Sequence, residues 1–273
     1  MIYEKAHAKI NLALDVIKKR DDGYHELKMI MVPIELHDQL SFELSDDIKL
    51  TSNIDIKDNQ VLKTAYLIKD KYKVDTGAHI YLKKDIPIGA GLAGGSSDIA
   101  ATIRGLNKLW NLNLDKKALE DIALSLGSDT LYCLYQKPAY VYGRGEHLEF
   151  IDLPKTGTIF LYYPKIISST ACVFKNHNII DKQNQFENLL EAYQHQAWDL
   201  FYKTTYNALH LTALKCYPEL QKAYKIMKNI DDNAFMSGSG STFFIINSSQ
   251  KDEEIIKKAQ ENNIKLVKTS LKA

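Results

Sequence analysis

A glycine-rich segment, Pro87-Ile-Gly-Ala-Gly-Leu-Ala-Gly-Gly-Ser-Ser-Asp98, lies between two stretches with regular apolar patterns. Residues 79–83 before it alternate like a strand, and the apolar residues of 99–110 recur at helical spacing. The predicted order is strand, glycine loop, helix N-terminus. Glycines let a backbone approach a bulky anion, and a helix N-terminus favours negative charge. We interpret the segment as a phosphate-binding loop whose Ser96 and Ser97 cap the helix or donate to phosphate oxygens.

Three other interpretations compete. The segment contains a G-x-G-x-x-G string, but a dinucleotide-binding fold needs a second parallel strand soon after the helix, and a second helical pattern follows at 115–126 instead. A P-loop needs Gly-Lys-Ser/Thr, and this loop contains no lysine. A plain turn stays open, although each glycine would cost roughly 0.5–1 kcal/mol in a regular element.

Composition narrows the class of protein. The chain has 273 residues, 45% of them hydrophobic, which suits one large domain or two smaller ones. A net charge of +1 gives no electrostatic reason to expect a nucleic-acid partner. Cys133, Cys172 and Cys216 are far apart and form no Cys-x-x-Cys pair, which argues against a zinc site or a disulfide framework. No signal peptide or long apolar span is visible, so we expect a soluble, cytoplasmic protein without a membrane partner.

The N-terminal region reads as strands around a turn. Residues 2–16 alternate, with Lys9 and Asn11 on one face, and Asp22-Gly23 marks a hairpin-like turn followed by Tyr24 and His25. Lysine is rarely buried without a partner, so a solvated face for Lys9 is as compatible with this segment as a functional role. Cross-strand packing is the plain alternative for the two aromatic residues.

The remaining pattern predicts a mixed α/β chain. Residues 29–44 and 159–163 are expected as strands, 46–60 as a loop, and 61–72, 116–126 and 218–230 as helices. A hairpin is expected over 131–142, a short helix over 171–175, one helix over 189–201, a helix over 250–261 and a strand over 264–269. A change of composition near residues 154–157 predicts domains at 1–155 and 156–273.

Two further sites stand out. Asp129 follows the predicted end of a helix at Gly127, where it could simply form a turn. A second glycine loop, Met236-Ser-Gly-Ser-Gly-Ser-Thr242, joins two short strands, and a tight turn is its plain alternative.

Taken together, these motifs resemble the superfamily of galactokinase, homoserine kinase, mevalonate kinase and phosphomevalonate kinase (GHMP kinases). The likeness covers nearly the whole chain in the right order. Two of its motifs resemble the branch of that family that acts on a cytidine-diphosphate-linked polyol. The motifs are Ala8-Lys9-Ile10-Asn11, Asp22-Gly23-Tyr24-His25, Pro87 to Asp98, Gly127-Ser128-Asp129 and Met236 to Gly240, the first two being those of the cytidyl branch.

The resemblance implies an α+β, two-lobed GHMP kinase fold with the active site between the lobes. The N-terminal lobe would be like ribosomal protein S5 domain 2 and the C-terminal lobe would be a ferredoxin-like α/β domain. The implied activity is ATP-dependent phosphorylation of the 2-hydroxyl of 4-diphosphocytidyl-2-C-methyl-D-erythritol in non-mevalonate isoprenoid biosynthesis, by a monomer or homodimer. The alternatives are another small-molecule GHMP kinase, or a nucleotide-binding regulatory protein of this fold without transfer activity.

The resemblance also implies roles for individual residues. Asp129 would be the base and Lys9 its cationic partner, because a carboxylate can accept the hydroxyl proton and an amine offsets negative charge. Mg²⁺ would come with the ATP phosphates, with Ser96 or Ser97 the nearest candidates to assist it. The implied ATP-binding residues are Pro87, Ile88, Gly89, Ala90, Gly91, Leu92, Ala93, Gly94, Gly95, Ser96 and Ser97.

The implied substrate site is built around a flat base. Tyr24 would stack on cytosine, His25 would bond to its edge, and Phe174 would lie on its other face. Asn11 would hold the reacting hydroxyl or the diphosphate. The remaining implied contacts to the substrate are Thr170, Ser237, Gly238 and Ser239.

The sequence departs from the family pattern at three places. Ala93 replaces a glycine, which we expect only if its φ is negative. Thr130-Leu131-Tyr132 replaces Val-Pro-Phe, so no proline stiffens the backbone beside Asp129. His210 replaces an acid.

Overall fold

The structure is a computed structural model that describes residues 1–153, 157–179, 185–247 and 252–272. The predicted domain boundary between residues 155 and 156 lies outside these ranges, as do the first two residues of the helix predicted over 250–261. The division into domains 1–155 and 156–273 therefore stays a prediction.

The chain folds into two compact units, each built from several segments. The first unit contains residues 1–8, 36–88 and 93–136. The second contains residues 9–35, 89–92 and 137–273. Residues 87–88 of the glycine loop thus belong to the first unit, residues 89–92 to the second, and the chain returns to the first unit at Ala93.

The first unit packs helices on strands. Strand β4 (Gly77–Lys83) pairs antiparallel with residues 39–45 of β2 (His25–Ser45) and parallel with β3 (Lys49–Ser52). Gly105 lies against the buried ring of Phe42, where a Cβ atom would come within 2.3 Å of the ring, so glycine lets a helix approach the sheet closely. The helices are α1 (Gln60–Lys71), α2 (Gly94–Leu109), α3 (Lys116–Leu126) and α4 (Thr130–Tyr135).

The second unit contains two groups of strands. Residues of β1 (Ile2–Lys19) pair in parallel with β8 (Tyr206–Asn207), and residues 27–31 of β2 pair with β5 (Ala139–Gly143), which pairs with β6 (His147–Phe150). A separate sheet has the order β11-β7-β10-β9. Its strands are β7 (Thr158–Tyr162), β9 (Phe235–Met236), β10 (Phe243–Asn247) and β11 (Val267–Thr269).

Six helices of the described residues belong to the second unit. They are α5 (Thr170–Lys175), α6 (Gln185–Gln194), α7 (Trp198–Lys203), α8 (His210–Cys216), α9 (Glu219–Ile230) and α10 (Asp252–Glu261). Within the described ranges, no helix is both long enough and apolar enough to cross a bilayer.

The mixed α and β architecture is confirmed, but four local predictions are wrong. Residues 131–134 belong to helix α4 rather than to a hairpin strand, because burial of Leu131, Tyr132 and Cys133 on one short helix outweighs their strand propensity. The predicted loop at 46–60 contains β3. The predicted helix over 189–201 is two helices, since Gln196 adopts a φ of 53°. The final strand covers only Val267–Thr269.

Candidate active site

The first part of the glycine loop is held through its carbonyl groups. All four carbonyl oxygens of residues 89–92 accept hydrogen bonds from elsewhere in the second unit. A carbonyl oxygen repels a phosphate, so fixing these oxygens in the protein leaves the N–H groups as the polar groups that the loop can offer to an anion. The donors are Ser168 N to Gly89 at 3.0 Å, Thr242 N to Ala90 at 3.1 Å, Lys9 N to Leu92 at 3.1 Å, and both Ser237 Oγ (3.0 Å) and Lys9 Nζ (3.1 Å) to Gly91.

Close packing explains the glycine at position 91. Its φ is +75°, and a Cβ atom would lie 2.3 Å from the carbonyl oxygen of Ser237 and 2.7 Å from that of Gly240. Gly238 faces the same contact from the other loop, with a φ of +55° and a hypothetical Cβ only 2.9 Å from Gly91 O. The two glycine loops therefore fit together backbone against backbone, which only glycine permits.

Lys9 lies at this junction. Its side chain is buried, and its ammonium group donates to Asn11 Oδ1 at 2.7 Å and to Gly91 O at 3.1 Å. The solvated-face alternative for Lys9 is therefore wrong. Lys9 and Asn11 share a face of β1, as predicted, and a Cβ on Gly238 would lie 3.2 Å from the ammonium group.

Asn207 fixes the second loop, a role that no motif of the sequence predicts. Its amide donates to Met236 O at 2.8 Å and to Gly238 O at 2.7 Å, while its Oδ1 accepts from Leu209 N at 2.9 Å. A buried carboxamide with both ends occupied holds the loop in one geometry.

The second part of the glycine loop forms the start of α2. Ala93 precedes the helix with φ 56° and ψ 28°, so the expectation of a negative φ is wrong. Gly95 is exposed, and a Cβ there would meet nothing within 4 Å. The first N–H groups of a helix have no acceptor within it, so this open end provides donors for an anion.

The two serines of the loop differ in accessibility. Ser97 is buried, and its hydroxyl donates to the carbonyl of His7 at 2.5 Å. Ser96 is half-buried. The prediction that these serines cap α2 is wrong, because Ala93 occupies the cap position and no side chain bonds there. Of the two, Ser96 is the more accessible to a bound ligand.

Asp129 precedes helix α4 and is half-buried. Its side chain makes no capping bond to α4, and its backbone carbonyl accepts from Cys133 N at 3.0 Å. Buried Leu131 and Tyr132 anchor this helix in place of the missing proline. Burial raises the pKa of the Tyr132 hydroxyl well above its usual value, and electrostatic interactions with Cys133 and Asp129 add to the shift. The carboxylate of Asp129 is thus not used to begin the helix.

Thr170 and Ser239 come together on the second unit. Their hydroxyl oxygens are 2.9 Å apart, and Ser168 Oγ donates to Ser239 O at 2.7 Å. Thr170 begins helix α5, which corresponds to the short helix predicted over 171–175, and Ser169 caps it by accepting a bond from Cys172 N. This arrangement places adjacent hydroxyl groups beside the second glycine loop.

His25 and Phe174 form a ring pair with centroids 5.1 Å apart and planes 33° apart. Burial lowers the pKa of His25, and the charge of Lys19 lowers it further, so the imidazole is neutral near pH 7 and has one donor and one acceptor nitrogen. Tyr24 is 49% exposed, and its ring lies 5.0 Å from the guanidinium of Arg144, a neighbour that the sequence did not predict. Two of the three predicted aromatic residues are thus in direct contact.

Comparison with known proteins gives the family. Residues 59–137 match the sequence model of the GHMP kinases N terminal domain, and residues 187–265 match that of the GHMP kinases C terminal domain. The 4-diphosphocytidyl-2-C-methyl-D-erythritol kinase of Bacillus subtilis (strain 168) is 41% identical over 89% of this chain and 87% of its own length. The chain belongs to the GHMP kinase family and to its 4-diphosphocytidyl-2-C-methyl-D-erythritol kinase branch. The family resemblance predicted from the motifs is confirmed.

Other relatives support the same family assignment. The kinase of the same name from Macrococcus caseolyticus is 38% identical over 94% of both chains. A crystal structure of 4-(cytidine 5'-diphospho)-2C-methyl-D-erythritol kinase superposes with a TM-score of 0.80 at 28% identity over the full length of both chains. Phosphomevalonate kinase of Streptococcus pneumoniae gives a TM-score of 0.74 at 13% identity over 99% of each chain, which shows the shared fold alone. This GHMP kinase is an ATP-dependent phosphotransferase with an alcohol acceptor.

Proposed function

We propose that this GHMP kinase transfers the γ-phosphoryl group of ATP to the 2-hydroxyl of 4-diphosphocytidyl-2-C-methyl-D-erythritol, in non-mevalonate isoprenoid biosynthesis. The observation that carries the proposal is the junction at Gly91, where the buried ammonium of Lys9 and the hydroxyl of Ser237 both donate to one loop carbonyl. A fixed cation beside a glycine loop suits a reaction in which negative charge moves between oxygens. The relatives named above carry the name of this kinase.

ATP would bind along residues 87–97. Two features support this placement. The carbonyls of 89–92 are bonded within the protein, which leaves the N–H groups of this segment for the phosphates. The open N-terminus of α2 offers its first N–H groups to the same ligand. Gly95 leaves room for a phosphate where any other residue would have a side chain. Ile88 is 46% exposed, so it offers apolar surface for the nucleotide.

Asp129 would accept the proton of the attacking hydroxyl. Its carboxylate makes no capping bond to α4, so it is not needed to form that helix. Lys9 would hold an attacking or transferred oxygen by charge and hydrogen bonding, with its ammonium fixed by Asn11 and Gly91.

Mg²⁺ bound together with ATP would neutralise part of the charge of the phosphates. Among the two candidate serines, the half-buried Ser96 fits a role next to the metal better than the buried Ser97, whose hydroxyl is already bonded to His7. The hydroxyl of a serine is a normal oxygen ligand of this ion.

The cytidine base would be recognised by His25, Phe174 and Tyr24. A neutral imidazole can donate to and accept from the edge of cytosine, and a ring pair 5.1 Å apart offers aromatic surface to a flat base. Thr170, Ser239 and Ser237 would orient the diphosphate and polyol through their hydroxyls, with Gly238 providing close backbone approach. We also propose a cytoplasmic monomer or homodimer without nucleic-acid or membrane partners, in keeping with the net charge of +1.

The test is a transfer assay with purified protein, ATP, Mg²⁺ and the cytidyl polyol, with mevalonate, homoserine and galactose as alternative acceptors. We expect turnover of the cytidyl polyol alone, with competitive inhibition by CDP. Turnover of another acceptor without inhibition by CDP would assign a different GHMP kinase activity. ATP binding without transfer to any acceptor would indicate a nucleotide-binding regulatory protein.

A further inference from the structure

A buried cluster of three charged residues lies behind the start of α2 in the first unit. The ammonium group of Lys84, at the end of β4, bonds to Asp38 and donates to Asp98 Oδ2 at 2.7 Å. Lys84 is 8% exposed, Asp98 4% and Asp38 fully buried. A lysine enclosed by two carboxylates is unusual, because charged groups lose their hydration on burial.

Each carboxylate ties a different part of the chain to this lysine. Asp38 Oδ1 accepts from Asp85 N at 2.6 Å and from Ile86 N at 2.7 Å, the residues that lead into the glycine loop. Asp98 belongs to the N-terminal part of α2. Lys84 therefore links the segment before the loop to the helix after it.

Lys84 also lies close to the start of α2. A Cβ on Gly94, the first residue of α2, would lie 3.2 Å from the ammonium group and 2.9 Å from the side chain of Ile86. The space beside the first residue of the helix is therefore occupied by the fixed ammonium group and by Ile86. Truncation of Lys84 would leave this turn without support at the place where its N–H groups are exposed.

The charges do not balance as a simple ion pair. Two ionised carboxylates and one ammonium would leave a buried negative charge, and Asp98 Oδ1 has no hydrogen-bond partner within the described part of the chain. Burial raises the pKa of Asp98 to about 8, with Asp38 adding to the rise and Lys84 opposing it. Burial lowers the pKa of Lys84, but the two carboxylates outweigh this effect and raise it overall. The raised pKa of Asp98 favours its protonated, uncharged form within the cluster.

Pairing charges inside a protein often adds little stability compared with apolar packing. What this cluster adds is a fixed distance between the end of β4 and the start of α2. Helix N-termini bind phosphate through a few N–H groups, and these groups must point towards the phosphate oxygens.

We propose that Lys84 is a positioning residue for the nucleotide phosphates, which it aligns by holding the first turn of α2 between Asp38 and Asp98. This inference rests on the proposed function, in which residues 87–97 bind ATP. Lys84 itself acts through the backbone of Gly94 and does not touch the substrate.

The test uses the double variant Lys84→Gln with Asp98→Asn, which removes the ammonium group and replaces both side chains with neutral amides, and the single variant Asp98→Asn, which is isosteric. The matched control is Lys108→Gln, which removes a lysine near the end of α2 whose ammonium donates to Glu4 at 2.6 Å. Three quantities are measured: the Kd for ATP, the Kd for CDP, and amide hydrogen exchange of the protein without ligands.

We expect the double variant to bind ATP about 10- to 100-fold more weakly, the range typical of misplaced binding groups, while the Kd for CDP stays within about twofold. Amide exchange should become faster at residues 94–98, and Asp98→Asn should change both quantities less. The control should match the wild type. An unchanged Kd for ATP and unchanged exchange at 94–98, with only the melting temperature lowered, would reduce Lys84 to a structural role.

Exchange separates this inference from the proposed function. If the wild type failed to bind ATP, the proposed function would be wrong, and exchange at residues 94–98 would still decide whether Lys84 holds the helix start. If exchange rose while the Kd for ATP stayed unchanged, Lys84 would order the helix without aligning a phosphate, and the inference would be overturned.

Discussion

The ammonium group of Lys9 donates to the carbonyl oxygen of Gly91 at 3.1 Å, across 82 residues of sequence. The second bond, to Asn11 Oδ1, comes from the same strand. These two bonds fix the position of the ammonium group. A buried lysine held in one position is suited to stabilise charge on a ligand.

Replacing Lys9 with methionine should lower kcat/KM by about 10²–10³, the usual loss for one electrostatic group at the reaction centre. It also removes the donor of the buried Asn11 Oδ1, while Gly91 O keeps its bond from Ser237, and this loss should cost about 1–3 kcal/mol of unfolding free energy. Steady-state kinetics and urea unfolding measure the two effects. Lys5→Met, at an exposed position of the same strand, is the control and should leave kcat/KM within about twofold of the wild type. A fully active Lys9→Met would remove Lys9 from the mechanism.

Asp129→Asn should lower kcat by about 10²–10⁴ while the Kd for ATP is retained, because it removes only the base. The exposed Asp121→Asn on α3 is the control. If Lys9 and Asp129 serve the same transfer, the double variant will lose less than the product of the two single losses. Strictly multiplicative losses would show that they act independently, and a wild-type rate for Asp129→Asn would mean that another group takes the proton.

Replacing two glycines of the loop with alanine should change the stability of the protein in opposite directions. Gly91→Ala forces a side chain into a φ of +75° and against the backbone of Ser237 and Gly240, so we expect a loss of at least about 1–3 kcal/mol. Gly95→Ala meets open space in a helix and should gain about 0.5–1 kcal/mol. The second variant should nevertheless bind ATP more weakly, because its methyl group occupies the proposed phosphate position. Urea unfolding and ATP titration test both; unchanged ATP binding by Gly95→Ala would move the phosphates away from this residue.

The substitution Ala93→Gly should destabilise the protein less than an alanine-to-glycine substitution inside a regular helix. The αL conformation of Ala93 costs about 1 kcal/mol, and glycine removes this strain. The added freedom of the unfolded chain costs about 0.4–1 kcal/mol, so the two terms nearly cancel. Ala118→Gly in α3 is the comparison and should lose about 0.5–1 kcal/mol. Equal losses at the two positions would contradict the left-handed geometry.

The stability of the protein should depend on pH through Asp98. Its pKa is raised in the folded state from 3.8 to about 8, so the folded protein holds a proton that the unfolded chain has released. The stabilising contribution is therefore complete below the unfolded pKa and is lost as pH rises through about 4 to 8. Unfolding free energies at about pH 5 and about pH 8 should fall less in Asp98→Asn than in the wild type. Asp85→Asn, at an exposed position nearby, should keep the wild-type slope; equal slopes in all three proteins would refute the raised pKa.

Much of the loop chemistry could be predicted because it depends on local residue types. The glycines of 89–95 and 236–240, and the helix after the first loop, follow from spacing and from the shape of each residue. The apolar run at 131–134 could not be assigned in the same way, because a short run without periodicity fits a strand or a buried helix. Packing of Tyr132 in the first unit decided it.

The groups that hold the loops could not be predicted, because their partners are distant in sequence. Asn207 bonds to Gly238, 31 residues away, and Lys84 bonds to Asp38, 46 residues away. The sequence displays an asparagine and a lysine of ordinary kind at these places. Only the folded structure shows that Asn207 holds a loop in place and that Lys84 is enclosed by two carboxylates. The φ of Ala93 was missed for the same reason, since the surrounding structure imposes it.

The carbonyl bonds of residues 89–92 also have a consequence for biosynthesis. Ser168, Ser237 and Thr242, which supply donors to Gly89, Gly91 and Ala90, are translated long after the loop itself. A nascent chain that ends before residue 237 therefore lacks two of the donors that shape its first glycine segment, Ser237 and Thr242. The ribosome must finish most of the polypeptide before this surface can mature, so incomplete translation products should be unable to sequester nucleotide.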